Sequence, residues 1–570
     1  MKTAPETLRA LRQSTAELLA NALCDLFPGT QLVGSAITDI GFHYDVVLPK
    51  KIDASALPMI EERMRFIAQQ NPSIKVLDMV ASNATAFLLH HGQQLKAEMI
   101  IDSEQDFVQL FQMGSFVDTY DQPCFDCISG IKAFKIQSLS FFENPTRSLK
   151  ISRFVGTAFV DTTSLKRFLK RFDEAQKHDH RTIGQEMKLY IPLEESGCWI
   201  WQPKGMVLRQ IVAATVANDT SLLPIKLPLL APANPNEPLV ATAKFNQSRL
   251  AIGADPSPLF AQLFTPTSFL QLPIRYQTTL QQGDKTDLSQ LWGLLQSRSD
   301  ELNWTQIFCT EGQLQEELIS SLQFIDQIIK IFRLEQQWIL CTTPPTPFKN
   351  KGLWAEAVES LESAMRHLNL DYALDKQAET LYGPKIAIKW TDAIGRQWQG
   401  PFVGLDVTHP EKLNLRYLDQ NQHWSRPAVV MRSILGPLDR LVAILIEQSS
   451  GSLPFWLAPE QVRLIAVNAD NAVYATEIKR ELEAHGLRVH VDNAIRPLGE
   501  RVHAAEIERI PHIAIIGERE QKQGVISVRA HDKGTTKRNI TAQMWLTELL
   551  EELAADKKML ANNKDTEASR

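Results

Sequence analysis

The stretch RSILGPLDRLVAILIE (residues 432–447) is the most informative string in this chain for its fold. It follows YGPKIAIKWTDAIGRQWQ (382–399) and precedes LPFWLAPEQV (453–462). Two further segments come earlier, GTAFVDTTSLKRFL with EAQKHDHRTIG (156–184) and IFCTEGQ (307–313). No single string decides the fold, but their joint order along the chain is highly specific.

Length and composition indicate a folded protein of several domains. A chain of 570 residues is too long for one hydrophobic core, so two to four domains are expected. Hydrophobic residues make up 44% and charged residues 22%, as in ordinary folded proteins. The net charge of −6 argues against broad, non-specific binding of nucleic acid, although it permits a local basic face.

Cysteine usage and hydropathy predict a cytoplasmic protein outside the membrane. Six cysteines in so long a chain do not make a disulfide framework. The first residues contain no apolar segment typical of a signal peptide. No run approaches the ~18 apolar residues that span a bilayer.

Hydrophobic periodicity predicts helices over 7–27, 55–70, 312–334 and 353–368, and a strand over 43–48. Residues 162–180 are predicted to form one charged helix, whose Lys and Arg we interpret as a solvated face. After Pro454, strands alternate with helices, which indicates a small α/β domain. The polar end of the chain is expected to be disordered.

Taken together, the five strings resemble the threonyl-tRNA synthetase family of class II aminoacyl-tRNA synthetases, and 432–447 resembles motif 3 of that class. The resemblance spans nearly the whole chain, and the family's N-terminal ubiquitin-like domain has no counterpart in it. It implies an α+β multidomain protein that forms a homodimer. The implied units are an editing-type α+β domain with its hinge (1–188), a catalytic-type domain on an antiparallel sheet (189–455), an anticodon-binding-type α/β domain (456–555) and a disordered tail (556–570).

The resemblance also identifies where the editing chemistry should lie, and those positions are altered. The family uses two His from HxxxH on the first helix, which share one helix face, together with a Cys and a His from CxxxH. Here Gln13 and Glu17 replace the two His, Tyr120 replaces the Cys and Cys124 replaces the second His. Gln has no proton to exchange near pH 7 and Tyr titrates near ~10, so hydrolysis by the family's route should be lost. Cys124 and Cys127 form a CxxC, which we interpret as two thiols rather than a zinc or redox site.

The family selects threonine with a zinc ion held by one Cys and two His. Matching by flanking residues places Ala251, Gln306 and Met431 at these three positions. None is a plausible zinc ligand, so zinc is not expected. Gly400, Phe402 and Gly404 replace polar groups that line the family's substrate pocket.

The ATP site is expected to be damaged as well. Matching places Asp284 where the family's motif 2 Arg contacts the α-phosphate and Thr286 where its Glu contacts adenine. A carboxylate at the first position would repel the phosphate. In motif 3, Arg440 matches the Arg that binds the γ-phosphate, and Tyr382 and Lys385 match as well. Arg440 could equally be a structural ion-pair partner, so ATP binding stays open.

The anticodon-binding-type domain offers Arg496, Arg501, Glu520 and Arg529 as candidate RNA contacts, each of which could instead be a plain exposed charge. Phosphate contacts alone would give weak, salt-sensitive binding. Our leading hypothesis is a paralogue that has lost activation and editing and acts by binding tRNA or an unknown protein. A second is an ATP-dependent ligase with a changed, zinc-free site, and a third is an ordinary threonine–tRNA ligase.

Overall fold

The computed structural model forms two compact units, Met1–Glu174 and Ala175–Arg570. Its described residues are 4–38, 40–103, 105–120, 123–125, 127–144, 149–193, 196–216, 221–228, 230–232, 241–245, 248–252, 256–283, 291–345, 350–380, 382–530 and 536–565. None of the helices in this described part is long and apolar enough to cross a membrane.

The first unit is built around one buried helix. Leu11, Leu18, Leu19 and Leu23 recur at helical spacing and are all buried, and the turn at Gly29 follows the helix. The elements of this unit are α1 (Ala4–Leu26), β1 (Gln31–Ile37), β2 (Phe42–Val47), α2 (Leu57–Gln70), β3 (Ile74–Val80), α3 (Ala81–His90), α4 (Gln94–Asp102), β4 (Phe107–Met113), β5 (Phe116–Thr119), β6 (Ala133–Asn144), β7 (Leu149–Phe159) and α5 (Thr162–Gln176), whose last two residues belong to the second unit.

Two antiparallel sheets complete this unit. Four strands pair in the order β1-β2-β7-β6 and three in the order β3-β4-β5. The apolar faces of α1 and α2 share a core with the four-stranded sheet. The α+β character predicted for this region is therefore confirmed.

The second unit begins with a large mixed sheet and its helices. Its elements as far as the end of motif 3 are α6 (His180–Glu186), β8 (Tyr190–Leu193), β9 (Cys198–Trp201), α7 (Pro203–Ala214), β10 (Leu223–Pro224), β11 (Leu230–Pro232), β12 (Ala241–Phe245), β13 (Ser248–Ile252), α8 (Ser257–Leu263), β14 (Ile274–Gly283), β15 (Ser299–Cys309), α9 (Glu311–Phe332), β16 (Gln336–Thr343), α10 (Lys351–His367), β17 (Ala373–Glu379), β18 (Lys385–Thr391), β19 (Gln397–Leu405), α11 (His409–Lys412), β20 (Tyr417–Leu418), β21 (Trp424–Ser425), β22 (Ala428–Ser433) and α12 (Leu438–Ser449).

Eight of these strands form one sheet in the order β10-β14-β15-β22-β19-β18-β16-β17. Its six central strands are antiparallel, and only the two edge strands pair in parallel. Helices α9 and α12 cover one face, because their apolar residues share a core with Ile307, Val403 and Val430. This leaves the other face to carry a candidate site.

The C-terminal part of this unit is the predicted small α/β domain. It contains β23 (Val462–Ala466), α13 (Asn471–Ala484), β24 (Val489–Asp492), α14 (Leu498–Ile507), β25 (His512–Ile516), α15 (Glu518–Gln523), β26 (Val525–Ala530), β27 (Thr536–Thr541) and α16 (Ala542–Asp565). The sheet order is β24-β23-β25-β26-β27, with the first three strands parallel.

The ends of two helices differ from the sequence-based prediction, one near residue 180 and one near the C-terminus. The single helix predicted over 162–180 is two helices, α5 and α6, because Asp179 caps a new helix by accepting the N–H of Arg181. Helix α16 continues through Asp565, ten residues into the tail that was predicted to be disordered. The added residues include Ala, Lys, Met and Leu but no Gly or Pro, and this composition favours continued helix.

A buried ion cluster joins α7 to the C-terminal α/β part. Arg463 donates to Glu460 at 2.7 Å and to Glu508 at 2.6 Å. Lys204 of α7 lies 2.5 Å from Glu460 and 2.6 Å from Glu508. Burial alone would raise the pKa of Glu508, but hydrogen bonds from Arg463, Lys188 and Lys204 outweigh it and hold that pKa at about 2.

Replacing Glu508 by Gln should destabilise the second unit by roughly 3 kcal/mol, because the buried Arg463 and the half-buried Lys204 lose a partner. The pKa of Glu508 is lowered on folding. Its stabilising effect is therefore complete above about pH 4.5 and is lost as the pH falls toward 2. Urea denaturation at pH 7 and pH 3 measures the loss of stability in Glu508→Gln and its dependence on pH. Glu518→Gln, which breaks an exposed pair with Lys522, is the matched control and should change stability by only a few tenths of a kcal/mol. Equal effects of the two variants would contradict the prediction.

Candidate functional site

A row of residues crosses the eight-stranded sheet on the face away from α9 and α12. Gln306 of β15 lies directly opposite Met431 of β22, Met431 opposite Gly404 of β19, and Gly404 opposite Lys385 of β18. Side chains of directly paired residues point to the same face, with Cβ atoms about 4.5–5.5 Å apart. The structure thus brings together the two positions predicted to correspond to the family's zinc-binding His.

The surroundings of these two positions are apolar. Gln306 is 1% exposed, and its amide oxygen accepts a hydrogen bond from Trp304 Nε1 at 3.0 Å. Met431 packs in a cluster with Phe402 and other buried apolar side chains. The Trp304 and Phe402 rings meet edge to face with centroids 5.5 Å apart.

This donor set does not fit a zinc ion. Zinc in proteins is bound by thiolate, imidazole or carboxylate groups, whereas Gln306 offers an amide already in a hydrogen bond and Met431 a weak thioether ligand. Ala251, the third predicted position, lies in β13 opposite Thr242. Its side chain falls outside the described part of the chain, but an alanine has no ligand atom.

Lys385 and Tyr382 lie at one end of the row. Lys385 Nζ donates to Gln399 Oε1 at 3.3 Å and lies 5.9 Å from the centroid of Phe402, and burial lowers the pKa of its ammonium. The Tyr382 ring packs against His409 with centroids 4.7 Å apart. Both side chains are half-buried, so the two residues predicted near the nucleotide remain beside the row.

Arg440, the predicted γ-phosphate contact, is held by the protein itself. Its Nε donates to the carbonyl of Leu295 at 2.7 Å and its Nη1 to the carbonyl of Gln399 at 2.8 Å. Its guanidinium lies over the Trp398 ring at 5.5 Å. These contacts fit a structural role of Arg440, one of the two alternatives left open by the sequence.

An internal carboxylate occupies the N-terminus of α12. Asp300 accepts the backbone N–H of Asp439 at 2.9 Å and that of Arg440 at 3.4 Å. Helix N-termini attract anions, so Asp300 takes a position that is suited to a phosphate. Burial raises the pKa of Asp300 to about 7, against the opposing effect of Arg440. Arg209 pairs with both Asp439 and Glu301 next to it.

The two motif 2 positions, Asp284 and Thr286, lie outside the described residues, so the predicted repulsion of the α-phosphate stays a prediction. Arg275, which precedes them in β14, forms a two-point ion pair with Glu317 of α9.

In the first unit, Gln13 and Glu17, the positions predicted to correspond to the family's two editing His, lie on one face of α1 as the spacing predicts. Gln13 Nε2 donates to Glu17 Oε1 at 2.8 Å and to Ser35 Oγ at 2.9 Å. Both residues are buried. Burial, and then the nearby carboxylate of Asp118, raise the pKa of Glu17 well above its ordinary value.

The buried acid Asp118 organises this pocket. It lies 2.8 Å from Lys96 Nζ and accepts the hydroxyl of Tyr44, and all three side chains are buried. Cys124 is near enough for Glu17 to contribute to the raised pKa of its thiol, whose main cause is burial. Raised pKa values of Glu17 and of the Cys124 thiol disfavour the anionic forms that general-base hydrolysis needs.

Tyr120 and Cys127, the other residues singled out in this region of the sequence, lie outside the polar pocket around Asp118. Tyr120 stacks on Phe111 with centroids 6.5 Å apart and belongs to the apolar core around α1. Cys127 is exposed and lies 3.1 Å from Ser129 Oγ. Cys124 is half-buried against the same core, so the two thiols of the CxxC occupy different environments.

One of the four predicted RNA contacts is contradicted by its burial. Arg501 is 2% exposed, and its guanidinium donates to Asp492 and to the carbonyl of Ala466 at 2.7 Å. It is neither an exposed charge nor available to RNA. The local sequence does not reveal this burial, because Ala466 and Asp492 reach Arg501 from two neighbouring strands.

The other three candidates differ in their availability. Arg496 is exposed in the loop before α14. Arg529 is half-exposed and pairs with Glu506 at 2.7 Å. Glu520 accepts the N–H of Gly517 at 3.2 Å and the hydroxyl of Ser527 at 3.1 Å, so it caps α15.

Among the described residues, one group of three could hold a metal ion, namely Asp179, His180 and Glu447. His180 Nε2 accepts the N–H of Leu294 at 3.0 Å, so its Nδ1 carries the proton that is donated to Glu447 at 2.6 Å. Glu447 also accepts the N–H of Ala393 at 2.9 Å. These bonds fit a structural hub rather than a metal site.

Comparisons with known proteins agree with this geometry. Residues 242–449 match the family profile "tRNA synthetase class II core domain (G, H, P, S and T)", and residues 461–555 match "Anticodon binding domain". The fold is therefore that of a class II tRNA synthetase with an anticodon-binding domain.

The particular family follows from whole-chain relatives. Threonine–tRNA ligase of Geobacter sp. (strain M21) is 31% identical over 566 residues, covering 95% of this chain and 88% of that protein. The enzyme of Sulfurovum sp. (strain NBC37-1) is 29% identical, covering 97% and 94%. A structure of the RNA-binding domain of threonyl-tRNA synthetase from Cryptosporidium parvum Iowa II is 25% identical with a TM-score of 0.60, covering 66% of this chain and 98% of that one. The chain belongs to the threonyl-tRNA synthetase family, as the sequence strings predict.

Replacing Glu17 by Gln should stabilise the first unit at neutral pH, because the glutamine keeps the shape and is never charged. The raised pKa of Glu17 means that the native protein loses stability as the pH rises above about 4.5. The gain should therefore grow with pH, to the order of 1–3 kcal/mol that an unsatisfied buried polar group costs. Thermal unfolding of Glu17→Gln at pH 5 and pH 8 measures it, with exposed Glu62→Gln as the control. A variant less stable than the parent at pH 8 would contradict the prediction.

Replacing Asp300 by Asn should strengthen ATP binding at pH 8 by about tenfold or more, equivalent to roughly 1.4 kcal/mol, because a negative charge beside Arg440 is removed. Calorimetric titration measures the affinity, and Asp326→Asn is the control. Adding Arg440→Ala to the Asp300→Asn variant should abolish the gain. Unchanged affinity in Asp300→Asn would mean that Asp300 does not oppose phosphate.

Proposed function

We propose that this threonyl-tRNA synthetase-family protein does not form threonyl adenylate by the zinc-dependent route of its family and instead acts by binding RNA. The observation that carries the first half is the pairing of Gln306 with Met431. These facing residues are packed against Trp304 and Phe402, and neither has a group that binds zinc while threonine is selected.

The contacts of Arg440 and the altered editing pocket support the same proposal. Arg440 is bonded to two backbone carbonyls and lies next to Asp300. In the first unit, Glu17 and Cys124 take the place of groups that would activate water.

RNA is the partner that the C-terminal region favours. Residues 461–555 match an anticodon-binding domain, and Arg496 in this region is exposed. The RNA that best fits this domain is tRNA. On this proposal the protein works in the cytoplasm as a dimer that controls a process in which tRNA takes part.

The second candidate is an ATP-dependent ligase for another acid. It is favoured by the retained Lys385 and Tyr382 beside the row, since a cation there could bind a carboxylate without a metal. Its substrate would be less polar than threonine, because the row is lined by Met431 and Phe402.

One experiment separates these functions. Pyrophosphate exchange is measured with each of the twenty amino acids, alongside zinc content and binding to a tRNA-Thr transcript. The proposal predicts no exchange above background, no bound zinc and RNA binding in the micromolar range or tighter. Exchange with threonine, or one zinc per chain, would overturn it, and exchange with another amino acid would favour the second candidate.

A further inference from the structure

A cleft of about 520 Å³ opens on the surface of the second unit, next to α8. One wall is the chain that follows α8, and the other is the segment that leads into the hairpin of β20 and β21. Its volume lies within the range of about 300–1,000 Å³ that is typical of small-molecule sites. The lining includes Phe264, Pro266, Leu413, Leu415, Arg416 and Trp424, none of which belongs to the row on the eight-stranded sheet.

The floor of the cleft is apolar. Phe264 and Leu415 are both buried and belong to one apolar cluster. The Phe264 ring packs against Phe308 of β15 with centroids 4.7 Å apart. These side chains have no group that forms a hydrogen bond, so the part of a ligand that contacts the floor has to be apolar.

Trp424 lies at the rim of the cleft with most of its indole uncovered. It is 61% exposed, although it lies directly opposite Leu418 in the hairpin of β20 and β21. Large apolar side chains exposed around a cleft are typical of a binding surface. Aromatic rings pack well against an indole, so a flat aromatic ligand would cover Trp424 and the floor together.

Arg416 supplies the one charge among the described residues that line the cleft. It is exposed, and within the part of the chain that the structure describes no acidic group forms an ion pair with it. Two other charged residues of the hairpin have partners, because Arg426 lies 3.9 Å from Glu411 and Asp419 accepts backbone N–H groups of the turn. A guanidinium binds a carboxylate through two parallel hydrogen bonds, so Arg416 is placed to bind an acid.

We propose that this cleft binds an aromatic monocarboxylate, with the carboxylate on Arg416 and the ring between Trp424 and the apolar floor. A nucleotide fits less well, because its phosphate carries more charge than a single guanidinium compensates and the floor has no group that hydrogen-bonds a base. The proposal does not depend on RNA binding or on the loss of adenylate formation, since neither the row nor the C-terminal α/β part contributes a residue to the lining.

The test titrates the full-length chain with cinnamate, with its neutral amide cinnamamide and with AMP, each by calorimetry. Arg416→Gln removes the charge, and Trp424→Ala removes the ring. The controls Arg480→Gln of α13 and Phe107→Ala of β4 remove an exposed cation and an exposed ring elsewhere. Thr265→Trp fills the cleft from an exposed lining position and keeps both binding groups.

Cinnamate should bind the parent chain with a Kd of roughly 1 mM or lower, and cinnamamide and AMP should bind about tenfold more weakly or less. Arg416→Gln and Trp424→Ala should each lower the affinity for cinnamate about tenfold, because the first removes a charge-assisted hydrogen bond and the second an aromatic contact. Thr265→Trp should abolish binding, and both controls should bind cinnamate like the parent.

The proposal is overturned if the parent does not bind cinnamate, if cinnamamide binds equally well, or if Arg416→Gln and Thr265→Trp leave the affinity unchanged. Tighter binding of AMP would assign the cleft to a nucleotide instead. Sedimentation velocity tests a second copy of the chain as the occupant, since a dimer that binds no cinnamate and dissociates in Trp424→Ala would make the cleft a contact between copies. Circular dichroism identifies a misfolded variant. Arg416→Gln and Thr265→Trp both change exposed residues, so either one that folds decides the outcome.

Discussion

Strand register in the eight-stranded sheet is the constraint on which the composition of the candidate site depends. Because β15 pairs with β22 so that Gln306 faces Met431, and β22 pairs with β19 so that Met431 faces Gly404, the side chains at these positions must meet on one face. A shift of one residue would send all of them to the opposite face. The chemistry of this centre therefore follows directly from which side chains the chain carries there.

At both candidate centres, buried polar side chains are partnered by neighbouring residues. In the catalytic-type region, aromatic and thioether side chains fill the space, and the buried amide oxygen of Gln306 is satisfied by Trp304. In the first unit, the pocket stays polar, and Asp118 is compensated by Lys96 and Tyr44. A buried charge without such partners would be too costly to keep, so each replacement depends on neighbours contributed by distant parts of the chain.

Much of the fold could be predicted from local patterns, whereas the surroundings of the site could not. Periodicity identified α1, α2, α9 and α10 to within a few residues, since apolar spacing is a local property. The i, i+4 relation of Gln13 and Glu17 was also predictable. The carboxylates of Asp118 and Asp300 were missed because their partners lie far away in sequence, at Lys96, Tyr44 and the start of α12. Arg501 was misjudged for the same reason, since nothing adjacent to it indicates that Asp492 buries it.

The ion cluster of Lys204, Glu460, Arg463 and Glu508 has a consequence for how the second unit can be divided. A fragment ending after α12 would leave Lys204 without its two carboxylates, and a fragment beginning at β23 would leave Glu508 without Lys204. The first cut would thus leave a cation without its partners, and the second would leave Glu508 with Arg463 as its remaining partner in the cluster. The C-terminal part is consequently a poor candidate for excision or transplantation onto another protein, even though its sheet is complete on its own.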